Sequence, residues 1–239
     1  AVYEVSGVET LFTLRPKQIE AVNAGVEFFL AKRKKSDTHN GLIVAPTGFG
    51  KSIVIANIVA QLDAPCLVFQ PSKEILEQNL AKFESYGFTP AIYSASMGSR
   101  ELGEITLATI GSVMGISGEK RKRANKAELF EEFPYVIVDE CHKVDSKAAG
   151  GYADFFRDMG KQVKILGLSA SPWRLQSNGY GTQAVFLTRT TPRIFNKVVA
   201  YVQISDLVEA GHWAKMEYFQ IKGFKPDQVK PNSSGADFQ

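Results

Sequence analysis

"GLIVAPTGFGKS", residues 41–52, decides how this chain is read. Gly41 to Ala45 form a short, almost wholly apolar run that ends at Pro46. Thr47, Gly48, Phe49 and Gly50 follow, and Lys51 and Ser52 then open an apolar stretch without breakers. That order reads as a buried strand, a turn and a helix. Gly48 and Gly50 let the backbone turn its N–H groups inward, and a helix starting near Lys51 adds its positive end, so the stretch makes an anion nest. In a phosphate loop of the form G-x-x-x-x-G-K-[ST], the lysine, here Lys51, reaches the β and γ phosphates and the hydroxyl of Ser52 holds Mg2+. Ala45 stands where the first glycine of that pattern belongs, so from this stretch alone a plain strand–turn–helix joint stays open.

A second stretch, "YVIVDECH" at 135–142, bears on the same question. It reads as a buried strand ending in adjacent carboxylates, Asp139 and Glu140. Ligands of open parallel sheets meet such strand ends. Two acids there can divide their work, Asp139 on the Mg2+ side and Glu140 polarising a water. Left unpaired on a core strand they would be costly to bury. The bland alternative is a strand running out into a solvated acidic turn. Both stretches, on separate strands and in this order, argue together for a nucleotide site.

The rest of the chain repeats one rhythm of apolar run, turn and helical stretch. "PCLVFQ" (65–70), "ITLATI" (105–110) and "VKILGLSAS" (163–171) join the two runs above as strands. Their continuous apolar character indicates burial on both faces, and helices between them imply a mainly parallel sheet with helices on both sides, hence an α/β fold. A helix over "RPKQIEAVNAGVEFFLAKRKK" precedes the first strand, with Ile19, Val22, Val26 and Phe29 at helical spacing and Pro16 in its first turn. The basic segment 119–132 reads as helical. After residue 171 the pattern loosens: "QSNGYGTQ" (176–183) reads as a loop, "KVVAYVQ" (197–203) and "MEYFQIKG" (216–223) as strands, and "ISDLVEAG" (204–211) as a short helix stopped by Gly211.

Composition bounds the function without deciding it. The chain has 239 residues, 44% hydrophobic and 22% charged, which is ordinary for a globular protein and enough for a full core. No run approaches the roughly 18 apolar residues of a membrane-spanning helix, so no membrane partner is expected. The opening residues lack the layout of a signal peptide. Cys66 and Cys141 sit beside apolar runs and read as buried thiols of a reducing compartment, cytoplasmic or nucleoid and nuclear. A net charge of +3 does not by itself argue for nucleic acid. The clusters "KRKK" (32–35) and "EKRKRANK" (119–126) fit either solvated edges or contact with a polyanion.

With these stretches in view, the chain resembles the Superfamily 2 helicases, relatives of the DEAD/DEAH-box proteins. "APTGFGKS" and "DECH" are similar to motifs I and II of that family, in which an alanine commonly opens motif I. "LRPKQIEAV" resembles the Q-motif region, "VFQPSKEILEQ" motif Ia, "ATIGSV" motif Ib, and "GLSASPWR" motif III. "SDLVEAGHWAK" resembles the segment leading out of the first lobe in the DNA-translocating branch, so the likeness covers about residues 11–220. The resemblance implies a RecA-like three-layer lobe that binds ATP with Mg2+. Arg15 and Gln18 would recognise adenine, and Thr47, Gly48, Phe49, Gly50, Lys51 and Ser52 would cradle the phosphates. Ser52 and Asp139 would serve the metal. Lys51, Asp139 and Glu140 would carry the hydrolysis. His142, Ser169 and Ser171 would couple the ATP site to a nucleic-acid track touched by Ser72, Lys73, Gly98, Thr109 and Ser112. Ser72 also reads as a helix N-cap, and the two roles are compatible.

Family members hold ATP between two such lobes. The expected organisation here is one ATP-binding lobe over residues 1–213 and an exit segment over 214–239 leading to a second lobe of the full-length chain. On that expectation this is the first lobe of an ATP-dependent helicase or translocase, acting on DNA more than on RNA and with little or no unwinding by itself. The readings left open are a nucleotide-gated nucleic-acid-binding module without productive hydrolysis, a duplex-DNA translocase of a restriction or remodelling system, and an RNA helicase.

Overall fold

The structure, a computed structural model, describes residues 13–32, 40–117, 122–125, 130–144, 151–160, 162–177, 181–191, 193–215 and 217. Its chain divides into two units, Ala1–Gln203 and Ile204–Gln239.

The first unit is built on an eight-stranded sheet in the order β12-β1-β9-β8-β2-β5-β3-β4. The strands are β1 (Gly41–Val44), β2 (Cys66–Gln70), β3 (Ala91–Ser94), β4 (Ser99–Arg100), β5 (Ile105–Thr109), β8 (Tyr135–Val138), β9 (Lys164–Ser169) and β12 (Lys197–Tyr201). All neighbours run parallel except the short edge pair β3 and β4. The continuous apolar runs at 41–45, 65–70, 105–110, 135–138 and 163–169 become central strands, as the absence of alternation predicts, with β1, β2 and β8 buried or nearly so along their length. β3 is shorter and less apolar, and the sequence pattern did not announce it.

Alternate strand residues divide the core between two helical layers. On one side Leu42, Val44, Leu67, Phe69, Val136, Val138 and Ile165 belong to a cluster that includes Tyr152, Phe155 and Phe156 of α5 (Tyr152–Met159). Phe69 is its centre, with the rings of Tyr152 and Phe155 edge-on at 5.4 Å. On the other side lie α1 (Pro16–Leu30), α2 (Lys51–Val59) and α3 (Lys73–Ser85). α2 is buried from Ile53 to Val59. α1 comes close to it at Gly25, where a Cβ would sit 2.5 Å from Ile58 Cδ1 and 3.4 Å from Leu166 Cδ2. The buried stripe of α1 runs through Gln18, Val22, Gly25 and Phe29. It is therefore rotated from the expected Ile19–Val22–Val26–Phe29 face, because a polar side chain and a glycine make the closest approaches. The expected three-layer α/β architecture is thus present.

Two further differences from the sequence reading concern local pairing. Residues 122–125, expected to be helical, form β7 (Lys122–Asn125), antiparallel to β6 (Met114–Ser117), which follows the short α4 (Ile110–Val113). Helix propensity of the charged residues yields there to backbone pairing between strands close in sequence. The loose region after 171 holds a second hairpin, β10 (Trp173–Ser177) with β11 (Thr182–Phe186). The strand expected at 216–223 lies outside the described residues apart from Glu217. In the second unit α6 (Ile204–Glu209) ends as expected, with Gly211 at φ 71° and the His212 N–H donating to the Leu207 carbonyl.

Candidate functional site

The residues singled out by sequence converge on the C-terminal edge of the sheet. β1 leaves the sheet at Ala45, whose N–H donates to the Ser169 carbonyl at 3.0 Å. The chain then turns through Gly48 and Gly50, at φ 76° and 91°, left-handed conformations that favour glycine. A Cβ at Gly50 would lie 2.6 Å from Gln18 Nε2, so space as well as φ requires glycine here. Phe49 buries its ring. Its carbonyl accepts from Gln18 Nε2 at 2.7 Å and from Arg15 Nη2, which also reaches the Gly48 carbonyl. Because a trans peptide points its N–H opposite its C=O, fastening the Phe49 carbonyl to α1 turns the Gly50 N–H away from α1. Gln18 is buried, and its Oε1 accepts from the Arg15 N–H at 2.8 Å. Arg15 and Gln18 therefore brace the loop from behind, and Thr47 and Gly48 are exposed in front.

Lys51 and Ser52 open α2 directly under the loop. Lys51 Nζ lies 3.2 Å from Glu140 Oε1, and the lysine side chain is only 10% exposed. Ser52 Oγ donates to Asn79 Oδ1 at 2.7 Å. Asn79 Nδ2 donates in turn to Asp139 Oδ2 at 3.0 Å and to Gln70 Oε1 at 2.7 Å. The hydroxyl and the carboxylate expected to serve a metal are thus bridged by one amide. Asp139 is buried, and burial first, then the neighbouring Glu140, pushes its carboxyl up to about 6 against the opposing pull of Lys51. Among the described residues no group of three His, Cys, Asp or Glu could hold a metal alone. Ser52 and Asp139 fit a cation that brings further oxygen ligands with it, as a nucleotide-bound Mg2+ does.

Glu140 has φ 48° and ψ 47°, a left-handed backbone on a non-glycine residue. Its Oε2 lies 3.3 Å from His142 Nδ1, and that nitrogen is 2.9 Å from Ser169 Oγ. Burial lowers the imidazole below its ordinary value, against the pull of Glu140. A neutral ring facing a carboxylate carries its proton on Nδ1, which then donates towards Glu140 and Ser169. Ser169 Oγ also accepts from the Ser171 N–H at 3.0 Å. His142, Ser169 and Ser171 therefore form a continuous link from Glu140 to the end of β9.

The residues expected to touch nucleic acid fall further along the same edge. Thr109 ends β5 and pairs in register with Gln70 at the end of β2. Thr109 Oγ1 is 2.8 Å from Ser112 Oγ and 3.4 Å from Ser94 Oγ, and Ser112 Oγ accepts from the Ala95 N–H at 2.8 Å. Gly98, at φ 72° with open space where a Cβ would stand, closes the adjoining turn. Ser72 caps α3, accepting from the Ile75 N–H at 3.4 Å. Lys73 is exposed and pairs with Glu77 at 3.5 Å.

Sequence reasoning missed Asn79, Gln70 and Ser94. Asn79 carried a signal: it is the polar member of a helical stripe with Leu76 and Phe83. Gln70 ends an apolar strand and Ser94 ends one that was not read, so neither stood out.

Comparison with known proteins bears on the family and the fold. The family model described as "Type III restriction enzyme, res subunit" matches residues 11–174. The chain is similar to the DNA 3'-5' translocase XPB2 of Sulfurisphaera tokodaii, with 31% identity over 162 residues, 67% of this chain and 31% of that one. It thus spans well under half of that relative's length. Among solved structures it resembles the UvsW helicase of bacteriophage T4, with a TM-score of 0.50 and 20% identity over 67% of this chain and 54% of that one. It also resembles the Type ISP restriction-modification enzyme LlaGI, solved with a DNA substrate mimic, with a TM-score of 0.56 and 16% identity over 83% of this chain and 18% of that one. At these identities the structural likeness is one of fold, and it matches the expected RecA-like lobe.

Proposed function

The chain belongs to the family of the type III restriction enzyme res subunit, and from that premise we propose that it is the ATP-hydrolysing motor lobe of a nucleic-acid helicase or translocase. The observation that carries the proposal is the placement of Lys51 against Glu140, and of Ser52 against Asp139 through Asn79, beneath a loop with two left-handed glycines. The loop N–H groups and Lys51 would hold the phosphates, and Ser52 and Asp139 would hold Mg2+. The bound cation would supply charge neutralisation at the terminal phosphates. Glu140 would orient a water and take its proton as the oxygen bonds to the terminal phosphorus and the bond to the diphosphate leaving oxygen breaks. Arg15 and Gln18 would contribute to the adenine end, although much of their bonding is already spent on the loop. The link from Glu140 through His142 and Ser169 would report the state of the phosphate to the strand ends.

DNA is the polymer we propose, because a relative of similar sequence is named a DNA translocase. The contacts would come from Ser72, Lys73, Gly98, Thr109 and Ser112. Movement along the DNA is the form of the activity we propose, because the same relative is named a translocase. A second RecA-like lobe, closing over the exposed loop and bringing an arginine, would complete the site; such a residue is worth about 10³–10⁵ in rate. The reading without productive hydrolysis is disfavoured by the joint presence of Lys51, Asp139 and Glu140.

Binding of a fluorescent ATP analogue tests the proposal. The protein is expected to bind it in the presence of Mg2+, and Lys51→Ala to abolish binding. Equal binding by the variant would overturn the assignment of the loop. In a protein that carries both lobes, ATP turnover stimulated by duplex DNA with no strand separated would support the translocase form; strand separation would replace it with a helicase.

A further inference from the structure

We propose that Asn79 is a positioning residue that sets the Ser52 hydroxyl and the Asp139 carboxylate in one frame for a divalent cation, with Gln70 fixing the amide from behind. The proposal rests on the reading of the site as one for a metal nucleotide. It goes beyond that reading by assigning work to two residues outside the phosphate loop and the strand-end acids.

Asn79 sits in the buried stripe of α3, 3% exposed, between Leu76 and Phe83. An amide in such a place is costly unless its hydrogen bonds are made. It makes three, accepting from Ser52 Oγ at 2.7 Å and donating to Gln70 Oε1 at 2.7 Å and Asp139 Oδ2 at 3.0 Å. Reversing the amide would set its oxygen against the Asp139 carboxylate, so the orientation is determined. Two consequences follow for a cation. Ser52 spends its single proton on Asn79 and is left with acceptor lone pairs, which is what a hard cation takes. Asp139 is fixed at both oxygens, Oδ2 by Asn79 and Oδ1 by the Glu140 N–H at 2.9 Å, and still has lone pairs to offer.

Gln70 strengthens the case. It is fully buried, and its Nε2 is the buried side-chain atom without a hydrogen-bond partner among the described residues. A buried donor left unpaired lowers stability. A leucine there would remove that donor but leave an Asn79 Nδ2 proton without its acceptor, so what the glutamine contributes lies in its Oε1. That oxygen holds one Nδ2 proton of Asn79 and thereby the plane of the amide that meets Ser52 and Asp139.

The test is Mn2+ binding to the full chain with ADP present, read from the free-Mn2+ electron paramagnetic resonance signal, beside binding of fluorescent ADP in chelator. Asn79→Ala is expected to weaken Mn2+ binding about 10–100-fold, the usual effect of losing an outer-shell partner, while nucleotide binding in chelator stays at the wild-type level. Should Asn79→Ala not fold, Asn79→Leu, of similar volume and apolar, keeps the stripe and is expected to show the same selective loss. Gln70→Leu is expected to weaken Mn2+ binding less than the Asn79 substitutions do. Wild-type Mn2+ affinity in the Asn79 variants would overturn the proposal alone. Parallel loss of chelated nucleotide binding would reduce Asn79 to a structural residue and overturn it as well. Failure of the wild-type protein to bind nucleotide would overturn the site reading and this proposal together.

Discussion

Glu140 holds a left-handed backbone, at a cost of about 1–3 kcal/mol for a side chain with no glycine freedom. It keeps that conformation while its two oxygens face Lys51 at 3.2 Å and His142 at 3.3 Å. The turn after β8 thus holds the carboxylate between the lysine that opens α2 and the imidazole two residues on. Glu140→Gln keeps the shape and removes the base that the proposed function requires. Single-turnover hydrolysis is expected to fall about 10²–10⁴-fold while nucleotide binding is retained. His142 gives a pH dependence with a definite sign. Burial holds its folded-state value below the ordinary 6.5, so just below 6.5 the unfolded chain takes up the proton more readily. Stability therefore rises with pH through that window and levels above it. Thermal unfolding of the wild type compared with His142→Gln, from about pH 5 to about pH 7.5, should show the wild type gaining relative stability as pH rises. A flat difference would remove the histidine from the account.

At the scale of elements, legibility followed the kind of burial. β1, β2, β5, β8 and β9 were plain in the sequence because strands covered on both faces have no alternation to confuse. β3 was lost because "AIYS" is short and lies near the sheet edge. β7 was misread because charged residues satisfy a helix pattern equally well. The stripe of α1 was misplaced by a residue because Gln18 and Gly25 take inward positions that apolar periodicity cannot see. Packing between elements is equally specific. A Cβ on Gly167 of β9 would lie 2.7 Å from Cys141 Sγ and 2.7 Å from Phe195 Cε1. Gly167→Ala is expected to destabilise by about 1–3 kcal/mol, measured by urea unfolding. Both thiols are buried, and burial pushes them well above the ordinary range. A thiol reagent such as Ellman's should label neither cysteine of the native protein and both after denaturation. Rapid native labelling would contradict the packing of β2 and of the turn after β8.

Over the first unit as a whole, one sheet edge carries the phosphate loop, the acid pair and the cluster of Ser94, Thr109 and Ser112. The motifs could be assigned from sequence because each is a contiguous stretch. Asn79 could not, because its partners are 27 and 60 residues away and only the fold brings them together. If the far part of that edge meets a polyanion, binding should weaken steeply as salt is raised, through counterion release. Binding of a DNA duplex at rising salt, with Lys51→Ala as a variant that changes the nucleotide site and leaves the strand-end hydroxyls intact, measures it. Salt-independent affinity would count against phosphate contacts.

The place of β1 between β9 and β12 has a consequence for how the protein is made. Among the described strands of the sheet, the one that launches the phosphate loop is synthesised first, yet both its neighbours come more than a hundred residues later. At about 5–20 residues per second, a ribosome leaves β1 with two open edges for on the order of ten seconds. The nascent chain passes through that interval with a fully buried strand of the finished sheet still unpaired, and folding chaperones would find it there.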